Sequence, residues 1–493
     1  MNAVPAIRIR SANSLPLRED GDFVLYWMIA SRRTSWNFAL DRSVEWAEKL
    51  GKPLVILEAL RCDYPWASPR LHRFVLDGMA ENACRLESSD ALYYPYLEPT
   101  PNAGKGLLSS LASLACVVVT DEFPCFFLPR MVASAARAVP VLMELVDSSG
   151  LLPLRQAEQV FPTAFAFRRF LQNRLPPHLL EFPRADALGT TRLPPAKPLP
   201  PEITKTWPQV SSELLGSGNG ALSEISLDRT IRPLEMRGGS TPAQVLLRDF
   251  LRNKLSDYAE ARNEPELETT SRLSPYLHFG HISTHQIFSE VVKHESWSPE
   301  RIALRANGSR TGWWGTSSGT EAFLDQVVTW RELGFNFCHK RGDYDRFESL
   351  PAWALKTLQE HARDERAQVY TLAQFESAAT HDPLWNAAQT ELVRDGRIHN
   401  YLRMLWGKKI IEWTRTPEEA LQVMLELNNK YALDGRDPNS YSGIFWCLGR
   451  YDHPWRPERP IFGTVRYMSS ANTARKFDVR DYIRKYSPLP NIE

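Results

Sequence analysis

Arg403, Met404 and Trp406 stand on one short run, Gly396-Arg-Ile-His-Asn-Tyr-Leu-Arg-Met-Leu-Trp406, with Trp413 soon after and the acidic turn Leu433-Asp-Gly-Arg-Asp-Pro438 beyond it. A cation, a thioether and two oxidisable indoles this close in sequence are the parts that one-electron chemistry needs: a charge-tuned pocket for a redox group, and rings that lead a hole away from it. On a helix, Trp406 and Trp413 share one face, two turns apart. Arg403 and Asp434 can close a desolvated ion pair, and Asn428 adds an amide able to donate or accept as a redox partner changes state. Trp385, in Pro383-Leu-Trp-Asn-Ala387, is a third indole. Taken singly, each fits a plain structural role as salt bridge, surface amide or core ring.

A second cluster is Thr270-Ser-Arg-Leu-Ser-Pro-Tyr-Leu277, preceded by Tyr258. Hydroxyls, an Arg and free amides at a helix start suit a phosphate; a simple Ser/Thr cap has the same letters. His278, His281 and His285 have metal-like spacing. No Cys or carboxylate lies near them in sequence, so no metal is expected.

These residues need elements to hold them. Phe23-Val-Leu-Tyr-Trp-Met-Ile29, Leu54-Val-Ile-Leu-Glu-Ala59, Cys116-Val-Val-Val-Thr120 and Val141-Leu-Met-Glu-Leu-Val146 read as buried strands, with amphipathic helices over 37–50 and 71–85. Strands alternating with helices predict a parallel sheet. The glycine fingerprint of dinucleotide-binding folds is absent. Prolines over 194–201 and the Gly216-Ser-Gly-Asn-Gly220 tract mark a linker. Beyond it, helices are expected near 243–261 (Thr241 as N-cap, Pro242 at N1), 283–293, 320–333, 352–362, 384–394, 397–414 and 417–430; the tail after 434 reads as functional loops. The organisation expected is a flexible N-terminus over 1–20, an α/β parallel-sheet (Rossmann-like) domain over 21–150, an interdomain linker over 151–235 and an all-helical domain over 236–493.

Composition bounds the function class. The 493 residues suffice for two or three domains, and 43% hydrophobic with 24% charged is ordinary for a globular protein. A net charge of +1 makes no global case for nucleic acid, so any basic patch is local. The six Cys are scattered without a C-x-x-C, which fits a reducing compartment. No apolar run follows the N-terminal Arg residues and none approaches a membrane span. A cytoplasmic protein is expected.

The run from His399-Asn-Tyr to Arg403-Met404, together with Leu427-Asn-Asn-Lys-Tyr and Leu433-Asp-Gly-Arg-Asp-Pro438, resembles the class II cyclobutane pyrimidine dimer photolyases of the photolyase and cryptochrome superfamily. Tyr26-Trp-Met28 and Trp36-Asn37 are similar to that family's opening. The resemblance implies a carbon–carbon lyase with an α/β antenna-type domain and a helical FAD domain, acting on damaged DNA as a monomer. It implies FAD contacts at Tyr258, Thr270, Ser271, Leu273, Ser274, Arg403, Asn428 and Asp434, and electron transfer through Trp385, Trp406 and Trp413. Met404, Trp446 and Trp330 match lesion-contacting positions; Arg331, Arg450 and Arg466 are candidates for DNA contact. An antenna chromophore of deazaflavin or folate type accompanies some members. One position departs: Gln326 of Phe323-Leu-Asp-Gln-Val327 stands where the family carries a Glu that bonds the dimer. Gln hydrogen-bonds but cannot supply a proton. Asp325 or Glu321 is then the compensating carboxylate, or repair is weakened, or the lesion differs. The alternatives are a cryptochrome-like blue-light photoreceptor and a photolyase for another pyrimidine photoproduct.

Overall fold

The structure, a computed structural model, describes residues 3–216, 222–223 and 225–487. Most of the glycine tract of the expected linker, 217–220, lies outside the described residues. The expected domains follow one another along the chain, whereas the compact units interleave. One comprises Met1–Gln156, Arg174–Asp249 and Arg272–Ser296; the other comprises Ala157–Asn173, Phe250–Ser271 and Trp297–Glu493.

The first unit is built on six strands: β1 (Ile9–Ser11), β2 (Phe23–Met28), β3 (Leu54–Leu60), β4 (Leu92–Leu97), β5 (Ala115–Asp121) and β6 (Met143–Val146). Their order is β1-β6-β5-β2-β3-β4. All pairs are parallel except β1 with β6. β2 and β5 are buried at every position, as continuous apolar strands of a doubly covered sheet must be. Val24, Tyr26 and Met28 pack into one core and Phe23, Leu25 and Trp27 into another, following the two-residue period of a strand.

Two strands escaped the sequence reading. β4 carries Pro95, which demotes an apolar run; it is tolerated because β4 is the sheet's edge and pairs with β3 alone. β1 lies within the stretch expected to be flexible, but its three residues pair with β6 and the neighbouring Arg8 is fully buried, donating to the Gly150 and Leu151 carbonyls. The proline-rich segment also packs down: Leu193 joins one face of the sheet, and Leu199 and Ile203 the other.

Between the carboxyl ends of β5 and β2, where strand order reverses, a doubly wound sheet offers its ligand crevice. Here Asp121 fills it. Its Oδ2 accepts the backbone N–H groups of Ile29, Ala30 and Ser31 at 2.9, 2.8 and 2.9 Å, and its Oδ1 accepts the Tyr26 hydroxyl. A protein carboxylate thus occupies the nest of amides in which a nucleotide phosphate would sit, in keeping with the missing glycine fingerprint.

His281 is wholly buried, and its Nδ1 accepts the Gly239 N–H at 2.9 Å. Burial, with Arg32 and Arg33 nearby, pushes its pKa down to about 3. Unfolded, it titrates near 6.5. The folded form therefore binds its proton later on acidification, so this contribution is complete above pH 6.5 and is lost as pH falls toward 3. Moving from pH 7.5 to 5 is expected to remove about 2 kcal/mol of stability through this one group. Urea unfolding of wild type and His281→Gln at both pH values checks this: the variant, less stable at neutral pH, should lose that much less on acidification.

The second unit is helical. Its core helices are Pro383–Asp395, Asn400–Trp413, Pro417–Tyr431 and Pro438–Cys447, with Arg331–Lys340 packed on the last of them. Trp385 and Trp406 are among its largest fully enclosed side chains. Three boundaries differ from expectation. The helix expected over 243–261 is two, Ser240–Asn253 and Tyr258–Ala261, and Thr241 lies inside the first, bonding Glu81 rather than capping. The helix expected over 320–333 runs from 318 to 340 with a π-helical stretch, Asp325–Trp330, in its middle. Pro438–Cys447, expected as loop, is a helix capped by Asp437, whose Oδ1 accepts the Asn439 N–H. The Asp-Pro cap signal was present, but Gly443 and the aromatics around it masked it.

Candidate active site

Arg403 Nη2 meets Asp434 Oδ1 at 3.0 Å, with the two side chains 23% and 14% exposed. The Asn400–Trp413 helix supplies the Arg and the turn after Tyr431 supplies the Asp, so the pair spans 31 residues. Asn428, on the preceding helix, is buried, and its Nδ2 donates to Ser440 Oγ at 2.8 Å. The three residues read from the sequence as a flavin-tuning set therefore lie on adjoining elements of one unit.

The three tryptophan residues adjoin in a way that their spacing did not reveal. Seven residues along a helix advance about 10.5 Å, too far for Trp406 and Trp413 to touch. Trp385 bridges them from the neighbouring helix. Its Nε1 donates to the Trp406 carbonyl at 3.0 Å, and its ring meets that of Trp413 at 5.9 Å, edge to face. Trp406 Nε1 donates to Gln389 Oε1 at 2.9 Å. All three are buried. Trp413 is covered by Tyr370 and His381, at 5.7 and 5.0 Å, and the Tyr370 hydroxyl lies 2.7 Å from His381 Nδ1. Those two reach the surface, a pair that no sequence spacing singled out.

Gln326, Trp330, Met404 and Trp446 are all half-buried. Gln326 and Trp330 fall four apart in the π-helical stretch, whose wider turn brings such positions onto one face. The helix that follows packs on Pro438–Cys447, which carries Trp446 and packs in turn on the helix carrying Met404. A Cβ on Gly407 would stand 2.6 Å from Cys447 Sγ, so only glycine allows that second approach. The two alternative carboxylates are committed elsewhere. Asp325 is held by Arg168 through Nε and Nη2 at 2.8 and 3.2 Å. Glu321 accepts the Gly312 and Trp314 N–H groups at 2.5 and 3.1 Å. Gln326 is left as the polar group of this face.

Tyr258 is buried against Phe250 and Phe323. With Thr270 and Ser271 it belongs to the helical unit, while Leu273 and Ser274 belong to the other. Arg262 Nε, Thr269 Oγ1, Thr316 Oγ1 and Arg403 Nε are buried polar atoms with no protein partner among the described residues. Buried donors are rarely left unmade, so each of these N–H groups and hydroxyls suits an acceptor that the protein itself does not supply. Arg262, Thr269 and Thr316 are additions to the sequence-derived set; an orphaned atom is visible only in three dimensions.

The three arginines expected at DNA divide. Arg331 and Arg450 are 7% and 4% exposed and lie over Phe335 and Phe337 at 4.3 and 4.2 Å. Enclosed in this way, neither presents a guanidinium to a phosphate. Arg466 is partly exposed, stacked on Trp455 at 4.0 Å and paired with Asp452.

No protein-family model matches the chain. It is 34% identical to a deoxyribodipyrimidine photo-lyase of Methanothermobacter thermautotrophicus, covering 99% of each. It is 34% identical to one of Potorous tridactylus over 96% of this chain and 82% of that protein. It is 32% identical to one of Arabidopsis thaliana, over 97% and 91%. Among solved structures, a class III photolyase from Agrobacterium tumefaciens matches with a TM-score of 0.67 at 17% identity, covering 97% of this chain and 88% of that one. A Synechocystis cryptochrome matches with a TM-score of 0.64 at 15% identity, covering 94% and 88%. At those identities the structural likeness is one of fold, the α/β plus helical fold expected from the sequence. With three relatives above 30% identity over nearly its whole length, the chain belongs to the deoxyribodipyrimidine photo-lyase family.

Proposed function

We propose that this chain is a class II photolyase that splits cyclobutane pyrimidine dimers in DNA by light-driven electron transfer, with FAD as its redox group. The observation that carries the reading is the set of three adjoining tryptophans in the same unit as the Arg403–Asp434 pair. Within the helical unit, Tyr258, Thr270 and Ser271 would hold the diphosphate side of the cofactor, joined by the free donors Arg262 Nε and Thr269 Oγ1. Arg403, Asn428 and Asp434 would face its ring system. Held there in its reduced form, the cofactor would supply light-driven one-electron donation to the cyclobutane ring.

The residues do the rest. Asp434 fixes the Arg403 guanidinium, which sets a positive charge against a reduced ring. Asn428, donating to Ser440, keeps its carbonyl oxygen as an acceptor. Trp330, Trp446 and Met404 wall a flipped-out dimer with flat apolar surface. Gln326 hydrogen-bonds a pyrimidine carbonyl, and Arg466 contacts a flanking phosphate. Trp406, Trp385 and Trp413 pass a hole outward to Tyr370 and His381 when the cofactor must first be reduced. We take the protein as a cytoplasmic monomer; no helix of the described residues is long and apolar enough to cross a membrane. A deazaflavin or folate antenna would show as a second absorbing species in the purified protein.

Gln326 favours a second reading, a blue-light photoreceptor that keeps the relay without repair. A thymine-dimer oligonucleotide incubated with photoreduced protein in blue light, against a dark control, decides between them. Repair in light alone is expected. A photoreducible protein that leaves the dimer intact would sink the repair reading; splitting of a different photoproduct would change the lesion. If Gln326 faces the dimer, Gln326→Glu should raise the repair rate by roughly tenfold, worth about 1.4 kcal/mol. An unchanged rate would remove residue 326 from the site.

A further inference from the structure

Lys408 is an unusual residue to find where it is. Its side chain is fully buried on the Asn400–Trp413 helix, between two of the relay indoles in sequence. Its Nζ donates to the Cys447 carbonyl at 2.6 Å, and no carboxylate among the described residues lies within ion-pair distance. A buried ammonium without a counter-charge is costly and calls for a reason. The group that faces it is Trp446, whose ring centroid is 5.2 Å from Nζ. Arg466 lies 5.7 Å from the same ring. The charge of Arg466 is largely answered by Asp452, at 2.7 Å; Lys408 feels that carboxylate only from beyond ion-pair distance.

A cation over an indole face is attracted to the neutral ring. Once the ring loses an electron the same cation repels it, and burial strengthens the repulsion. The relay indoles have the opposite surroundings. Trp406 and Trp385 direct their N–H groups to the Gln389 and Trp406 carbonyl oxygens, whose partial negative charge favours a hole. Trp413 has Lys409 over its ring at 5.3 Å, but that ammonium is neutralised by Glu412 at 2.7 Å. The indole N–H of Trp446 has no acceptor among the described residues.

We propose that Lys408 is a positioning residue for the hole: set against Trp446, it makes that indole the hardest to oxidise and so directs oxidation along Trp406, Trp385 and Trp413. The inference rests on the reading of Trp446 as a wall of the lesion pocket. A hole there would capture the electron lent to the dimer before ring opening was complete.

The test uses the full-length protein, in the dark, with azide radicals generated by radiolysis. Each radical takes one electron from an indole and becomes azide. The oxidised indole gives its N–H proton to water and is trapped by dissolved oxygen as a heavier product. Peptide mass spectrometry then gives the product formed at Trp446 relative to the exposed Trp455. Lys408→Met is expected to raise that ratio about fivefold at pH 7, equivalent to roughly 1 kcal/mol, and Lys408→Arg is expected to leave it unchanged. In wild type the ratio should climb between pH 7 and 9, because burial brings the Lys408 ammonium down to about 8. The Cys447 thiol that also faces it is pushed up to about 11 by burial and stays neutral over that range, and Asp452 and Arg466 remain paired. A folded Lys408→Met protein with an unchanged ratio overturns the proposal. So does a flat wild-type profile, which decides alone if the variant does not fold. The oxidation needs neither flavin nor DNA, so its outcome stands apart from that of the repair assay.

Discussion

Replacing Trp406 with Phe is expected to slow blue-light reduction of bound oxidised flavin by roughly a hundredfold, a change of about 2.7 kcal/mol in barrier. Repair by chemically pre-reduced protein should stay within about twofold of wild type, since the relay is idle once the cofactor is reduced. The structure sharpens this. Among the described residues Trp385 touches both of the others, Trp413 ring to ring and Trp406 at its backbone carbonyl, so Trp385→Phe should match the Trp406 variant although it lies on another helix. Trp406→Phe also leaves the buried Gln389 carbonyl oxygen without its donor, at a stability cost of about 1–3 kcal/mol. Photoreduction must therefore be compared at a temperature where both proteins are folded. Wild-type photoreduction in either variant would mean that these rings are core packing and nothing more.

Asp434→Ala should be the most damaging single change to cofactor retention. It leaves the Arg403 guanidinium largely enclosed with no counter-charge, and its Nε already has no protein partner. Removing one member of such a pair costs about 3 kcal/mol, which would weaken flavin binding by roughly a hundredfold if the loss falls on the bound state. Asp434→Glu should recover part of this. Equilibrium dialysis followed by flavin fluorescence reads the outcome. A variant that keeps its flavin as wild type does would show that the ion pair is structural and that the cofactor is held elsewhere. Loss of flavin with an unchanged melting temperature of the flavin-free protein would place the effect in binding.

Much of this was legible because the chemistry is local in sequence. Arg403, Met404 and Trp406 stand within one helical turn, and their shared helix puts them in one neighbourhood whatever the remainder of the fold does. The parallel sheet was legible for a similar reason: β2 and β5 are continuous apolar runs, and such runs are buried on both faces. β4 was not, because Pro95 is forbidden in a central strand and harmless at an edge, and position in a sheet is a tertiary property.

What the residues alone determined is the list of parts: three indoles, an Arg and an Asp, a hydroxyl-rich phosphate segment, and Gln326 in place of a carboxylate. Tertiary packing decided how the parts connect. It put Trp385 against both Trp406 and Trp413, tied Asp325 to Arg168 and so removed it as a substitute for the missing Glu, and enclosed Arg331 and Arg450, which the family resemblance had offered to DNA. It also placed an unpaired ammonium against Trp446. The reason is physical. Residue type and spacing govern what a side chain can do and which helix face it shares, but partners tens or hundreds of residues apart meet only when cores close, and burial, which gives a charge or a ring its energetic weight, does not exist before they do.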